Sequence, residues 1–231
     1  VDVKDITTAT SIALGYDQSC AVLTGGAIKC WGWNWSGQVG DGTTADRTTP
    51  VDVSGITTAT SLALGGGHTC AVLTGGTIKC WGWNDYGQLG DGTNTSRTTP
   101  VDVSGITTAT SIALGGGHTC ALLTGGTIKC WGSNGNGQLG DGTTTDRTTP
   151  VDVSGITTAT SLALGGSHTC ALLTGGTIKC WGSNGNGRLG DGTTTDRTTP
   201  VEVSGITTSS SGGSPSLMVV LLTTFVCALV L

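Results

Sequence analysis

The chain repeats itself every 50 residues, and that period limits what it can fold into. Its most regular stretch, Gly115–Gly132, recurs in four near-identical copies. Its apolar runs, Cys120–Leu123 and Ile128–Trp131, are too short for helices, and no 3.6-residue periodicity accompanies them. Gly125 and Gly126 lie between the runs and supply the positive φ angles of a tight turn. The stretch therefore reads as a β-hairpin with one cysteine on each arm.

The copies span residues 1–50, 51–100, 101–150 and 151–200, and Val201–Thr208 begins another. Each offers four strand candidates. In the third copy one surrounds Val101–Val103, just after Pro100, and one covers Thr110–Leu114, where Ile112 and Leu114 alternate with small residues. The hairpin arms are the other two. Gly132–Thr149 is polar and glycine-rich and reads as a loop. Four short strands per roughly 40–50 residues mark a propeller blade, so the fold class is all-β.

The cysteines constrain the hairpin register. A two-residue loop of Gly125 and Gly126 places Cys130 opposite Ala121, and the two sulfurs then face opposite ways. A three-residue loop, Thr124–Gly126, places Cys120 opposite Cys130 and Leu122 opposite Ile128. Such opposed Cα atoms lie about 4.5–5.5 Å apart and can accept a disulfide, which favours the three-residue loop.

Taken together, His118-Thr-Cys-Ala-Leu, Gly126-Thr-Ile-Lys-Cys-Trp-Gly132, Asn134–Gly140, Asp141-Gly-Thr143 and Arg147–Val151 resemble the RCC1 (regulator of chromosome condensation) repeat. The resemblance covers residues 1–208. It implies a β-propeller of four-stranded blades, commonly about seven in a ring, so the four blades visible here are expected to form part of a larger ring, with a closed four-bladed ring or an open arc completed by a partner as the alternatives. The absence of an initial Met supports that expectation. The cysteine pairs Cys20/Cys30, Cys70/Cys80, Cys120/Cys130 and Cys170/Cys180 match the variant of secreted members. Eight regularly paired cysteines also suggest disulfides formed in an oxidising compartment.

Charge narrows the partners. The formal net charge is −5, and Lys29, Lys79, Lys129 and Lys179 recur once per repeat without forming a basic stripe. No nucleic-acid partner is expected from that pattern. After residue 208 the composition shifts to a Ser/Gly linker, 209–216, and an uncharged apolar run, 217–231, which holds the ninth cysteine, Cys227. A helix of that run would reach only about 22 Å, short of the roughly 30 Å hydrocarbon core. Small residues, a spacer and an apolar terminus read as a glycolipid (GPI) attachment signal, with a short tail anchor as the alternative. Either would bring the chain to a membrane surface.

Nothing in the sequence assembles a catalytic site, a metal site or a cofactor site. His68, Cys70 and Cys80 could ligate zinc, but Gln18 replaces the histidine in the first repeat while Cys20 and Cys30 remain, and a fourth ligand is lacking. The three histidines occupy one equivalent position with no nucleophile beside them, so a structural role is expected. Asp41, Asp91, Asp141 and Asp191 sit in Gly-Asp-Gly-Thr runs and should bond their own turns; the spacing fits no calcium loop.

Variation among the repeats concentrates after the Cys-Trp-Gly: Trp33–Ser36, Trp83–Tyr86, Ser133–Asn136 and Ser183–Asn186, with Arg188 replacing a glutamine. Smaller changes fall at Tyr16–Gln18. Loop tips on a rigid scaffold are where binding specificity resides, and exposed Trp and Tyr are favoured anchors. The candidate contact residues are therefore Trp33, Trp35, Trp83, Tyr86, Asn134, Asn184 and Arg188. The unvarying Trp31, Trp81, Trp131 and Trp181 suit blade packing instead. Asn34 and Asn94 fit the glycosylation pattern.

The expected function is a non-enzymatic scaffold at the cell surface that binds a protein or glycan through propeller loops. Two alternatives remain open. The resemblance also implies an intracellular exchange factor for a small GTPase, and a propeller can host an enzyme or an enzyme inhibitor.

Overall fold

A computed structural model describes Val3 and residues 6–206. The expected fifth repeat beyond Ile206, the linker and the apolar tail with Cys227 lie outside the described residues. Among the described residues, sixteen strands form four antiparallel sheets, each with its strands in sequence order. The first sheet holds β1 (Ala9–Leu14), β2 (Gln18–Leu23), β3 (Ile28–Gly32) and β4 (Arg47–Asp52). The second holds β5 (Ala59–Leu64), β6 (His68–Leu73), β7 (Ile78–Gly82) and β8 (Arg97–Asp102). The third holds β9 (Ala109–Leu114), β10 (His118–Leu123), β11 (Ile128–Gly132) and β12 (Arg147–Asp152). The fourth holds β13 (Ala159–Leu164), β14 (His168–Leu173), β15 (Ile178–Gly182) and β16 (Arg197–Glu202).

The sheets are propeller blades. Their first strands neighbour one another, and the ends of β1, β5, β9 and β13 converge on a central funnel. The strand around Val101–Val103 differs from the expectation. It begins at Arg97 and is the outer strand of the second blade, paired with β7, rather than the opening strand of the third. The loop before each outer strand is correspondingly shorter than the glycine-rich stretch suggested. Pro50, Pro100, Pro150 and Pro200 all sit in these outer strands, where a missing N–H can face away from the ladder.

The hairpin adopts the three-residue loop. Cys120 pairs with Cys130 and Leu122 with Ile128. Leu123 N–H donates to Thr127 O, and Gly126 N–H donates back to Leu123 O. Gly125 and Gly126 have φ of 90° and 86°, conformations that a side chain at either position would strain. All four cysteine pairs form disulfides.

A bulge recurs where the first strand meets the second. Thr110 is the extra residue between Ala109 and Ser111, and its hydroxyl donates to Leu122 O at 3.1 Å. Thr10, Thr60 and Thr160 repeat the bond. The recurrent lysines have a structural partner as well: Lys29, Lys79 and Lys129 reach Asp52, Asp102 and Asp152 across the third and fourth strands at 2.7–2.8 Å.

The core lies between blades. Val22 and Ile28, beside the Cys20–Cys30 bridge of the first blade, pack against Ala71 and Trp81 of the second, and the arrangement repeats at the next two junctions. Trp81, Trp131 and Trp181 are fully buried there. Each indole N–H donates at 2.9 Å to a carbonyl of the preceding blade, that of Gln38, Gln88 and Gln138 respectively. Blade packing is thus the role of the unvarying tryptophans at all three junctions.

Candidate recognition face

The loops after the third strands hold the residues that differ between blades, so their scaffold decides which side chains reach solvent. Asn134 organises one such loop. Its Nδ2 donates to Thr143 O and Thr145 O at 3.1 and 3.0 Å, and its Oδ1 accepts from Leu139 N–H at 3.0 Å. Asn34, Asn84 and Asn184 make the same bonds, and all four are fully buried. Asn134 and Asn184 therefore stand inside their loops, and the expectation that they touch a ligand does not fit their burial. A sugar on Asn34 would displace the same bonds. Asn94 is exposed and remains open to modification.

Asp141 completes the loop. Its Oδ1 accepts from the backbone N–H and hydroxyl of Thr143, and its Oδ2 accepts from Arg147 Nε and Nη2 at 3.0 and 2.8 Å. Burial raises the pKa of this carboxyl, but the bonds from Thr143 and Arg147 outweigh it and hold the group below the usual carboxylate range. Asp41 and Asp91 follow the same balance. These oxygens are committed to the turn, as the sequence suggested.

Two of the three histidines, His68 and His118, bridge blade junctions. His68 Nε2 lies 2.9 Å from Thr119 Oγ of the third blade, and Thr119 donates its own proton to Gln88 O of the second. Because that hydroxyl proton is spent on Gln88, His68 Nε2 must carry the proton it shares with Thr119, which fixes the tautomer. His118 repeats the arrangement with Thr169 and Gln138. Both rings are fully buried, and burial pushes each pKa down from 6.5 to about 3. Position 115 needs glycine, since a Cβ there would stand 2.3 Å from the His118 ring.

On this framework the aromatic candidates separate into two groups. Trp33 and Trp83, on adjacent blades, wall an open cleft of about 290 Å³ floored by Gly66 and Gly67, with Ser36 at its edge. Trp83 continues edge-on into Tyr86, with ring centroids 5.2 Å apart. Trp33, Trp83 and Tyr86 thus form one aromatic strip across the first two blades, and Tyr86 reaches toward Gly117 of the third. Trp35 is 78% exposed but does not line the cleft, and the exposed Arg188 lies on the fourth blade.

Tyr16 was not grouped with the contacts by sequence, although its variation was visible. It occupies the position of Gly66, Gly116 and Gly166 and is 72% exposed at the mouth of the central funnel, a cavity of about 460 Å³. The signal was a large ring at a glycine position. Three-dimensional proximity was needed to connect it to the funnel.

The blade plan and its loops match a known repeat. The family profile described as Regulator of chromosome condensation (RCC1) repeat matches residues 26–72, 76–122, 126–172 and 176–219, and a second RCC1 profile matches 59–88, 109–138 and 159–188. The chain belongs to the RCC1 repeat family. No curated protein matches it in sequence. Among solved structures, human WBSCR16 is 26% identical with a TM-score of 0.78, the match covering 87% of this chain and 54% of that one. Yeast RCC1 (Prp20), solved with Kap60 bound, is 21% identical with a TM-score of 0.79, covering 87% of this chain and 50% of the other. Saccharomyces cerevisiae Prp20p, described with its binding properties to Gsp1p and histones, is also 21% identical, with a TM-score of 0.74 and coverage of 87% and 52%. This chain spans about half the length of these solved relatives.

Proposed function

We propose that this RCC1-repeat chain is a non-enzymatic recognition scaffold displayed outside the cell, binding a protein or glycan through the Trp33–Trp83–Tyr86 strip. The observation that carries the reading is the cleft itself. Four nearly identical blades differ most where two indoles from neighbouring blades flank a glycine floor. Indoles beside glycine backbone suit a sugar ring or an apolar side chain, which bury well on rigid indole surface at little entropic cost. The blades supply rigidity, and the four disulfides fit an oxidising setting. Surface attachment through residues 209–231 completes the reading.

The test is binding of the chain and of a Trp33→Ser/Trp83→Ser variant to arrayed glycans and to arrayed extracellular protein domains. Serine is the residue the third and fourth blades already carry at those positions, so folding should be unaffected. The expected result is a ligand whose affinity falls by about tenfold or more in the variant at unchanged thermal stability. Ligands held equally by both proteins would sink the proposal.

The second reading, guanine-nucleotide exchange on a small GTPase, is favoured by family membership alone. The solved relatives described with protein partners are 21% identical, a likeness that supports the fold.

A further inference from the structure

A further ring and two carboxylates belong with the aromatic strip. Tyr16 lies against the floor of the cleft, since a Cβ added to Gly66 would stand 3.3 Å from its Cε2. Tyr16, Trp33 and Trp83 thus meet beside one glycine at the junction of the first two blades. Each of these blades also adds an acid. Trp33 N–H donates to Asp17 O at 2.9 Å, which places Asp17 beside the first indole, and Asp85 stands between Trp83 and Tyr86 in the chain. Both acids are exposed. The third and fourth blades carry neither an aromatic nor an acid at these positions.

The two carboxylates are unbalanced. In the first two blades Lys29, Arg47, Lys79 and Arg97 are paired with Asp52, Asp41, Asp102 and Asp91. Asp17 and Asp85 have no ion-pair partner among the described residues, and no basic side chain lines the cleft. The indoles, for their part, work against their own loops. Gln138 Nε2 donates to Ser133 Oγ at 3.2 Å. Gln38 and Gln88 have Trp33 and Trp83 in place of that serine, and each keeps a buried Nε2 without a partner among the described residues. Each indole therefore costs its blade a hydrogen bond that serine would supply, which points to a role outside the loop.

We propose that the strip takes a cation, the side chain of a lysine or arginine on a basic segment of a partner protein, with Tyr16 as a further contact. This rests on the strip being the recognition face and narrows what occupies it. Aromatic rings attract ammonium and guanidinium groups through their quadrupole, and the apolar stems of both side chains cover indole while the charge stays near water. Asp17 and Asp85 supply the complementary charge, one on each blade. A neutral sugar would use the rings but gain nothing from that charge, and an anionic ligand would be repelled by it.

The test is calorimetric titration of the full 231-residue chain with hexaarginine, hexaglutamate and the neutral sugar maltohexaose, at about 0.15 M salt. Hexaarginine should bind and the other two should not. Trp33→Ser/Trp83→Ser leaves the net charge at −5 and should weaken hexaarginine by about tenfold or more. Tyr16→Gly should weaken it by about threefold. Asp17→Gly/Asp85→Gly should weaken it by about fivefold and flatten its salt dependence. All of these are residues the third blade carries, so each variant should keep the fold, and the serine variant should melt no lower than the wild type. Hexaarginine held equally by the wild type and the serine variant would assign it to the acidic surface at large and overturn the proposal. Maltohexaose bound through the tryptophans would overturn it too, while leaving the strip as a recognition face. No binding of hexaarginine would overturn it equally; the strip itself is judged separately, by loss of an arrayed ligand in the serine variant.

Discussion

Thr119 of the third blade links His68 and Gln88 of the second, accepting from the His68 ring at 2.9 Å and donating to the Gln88 carbonyl at 2.9 Å. One hydroxyl therefore ties two blades at two points in a buried junction. Thr119→Val keeps the shape, removes both bonds and leaves the His68 N–H unpaired. The expected loss is about 1–3 kcal/mol in urea unfolding. Adding His68→Gln should recover part of it, since Gln18 fills that place in the first blade and reaches the Gly65 carbonyl with its amide.

The same histidines set a pH dependence. Burial holds His68 and His118 in the neutral form with pKa values of about 3, against 6.5 for the free group. The unfolded chain takes up these protons below about pH 6.5 and the folded chain does not, so stability is full above that pH and declines toward pH 3. Each histidine contributes a slope of about 1.4 kcal/mol per pH unit in that window. Unfolding measured between pH 6 and pH 4.5, above the carboxylate range, should show this decline. His68→Gln should reduce it, and an unchanged slope would contradict the burial argument.

The Asp141 loop makes a local prediction. Asp141→Asn removes the paired bonds from Arg147 and the charge that holds Thr143, on a carboxylate whose side chain is 7% exposed. The expected loss is about 1–3 kcal/mol, with faster protease cleavage between Asn136 and Asp146. Cleavage at the wild-type rate would show that Asn134 alone holds the loop.

The fold was largely legible in the sequence because repetition removes ambiguity. The cysteine spacing selected the Thr124–Gly126 loop and the Cys120–Cys130 pairing, and the invariant tryptophans pointed to blade packing. The sheet boundaries were harder to read. Val101 belongs to the preceding blade, since a strand's partner is set by non-local hydrogen bonds that a repeat frame does not encode. The candidate site was legible only in part. Variation located Trp33, Trp83 and Tyr86, and the structure joins them into one strip. Variation gave no warning that Asn134 and Asn184 are buried, because polar loop residues that bond their own backbone look the same in sequence as those that face a ligand.

The disulfides link the fold to the proposed surface role. Replacing Cys120 and Cys130 with alanine opens a bridge of sequence separation 10 and should cost about 2.5 kcal/mol by loop entropy. The more direct measurement is a count of free thiols, by alkylation and peptide mass spectrometry, on the protein taken from the cells that make it. An extracellular scaffold predicts four intra-blade bridges, Cys20–Cys30, Cys70–Cys80, Cys120–Cys130 and Cys170–Cys180, with none of these eight cysteines alkylated before reduction. Eight free blade thiols would contradict the surface role and leave nucleotide exchange inside the cell as the reading to pursue.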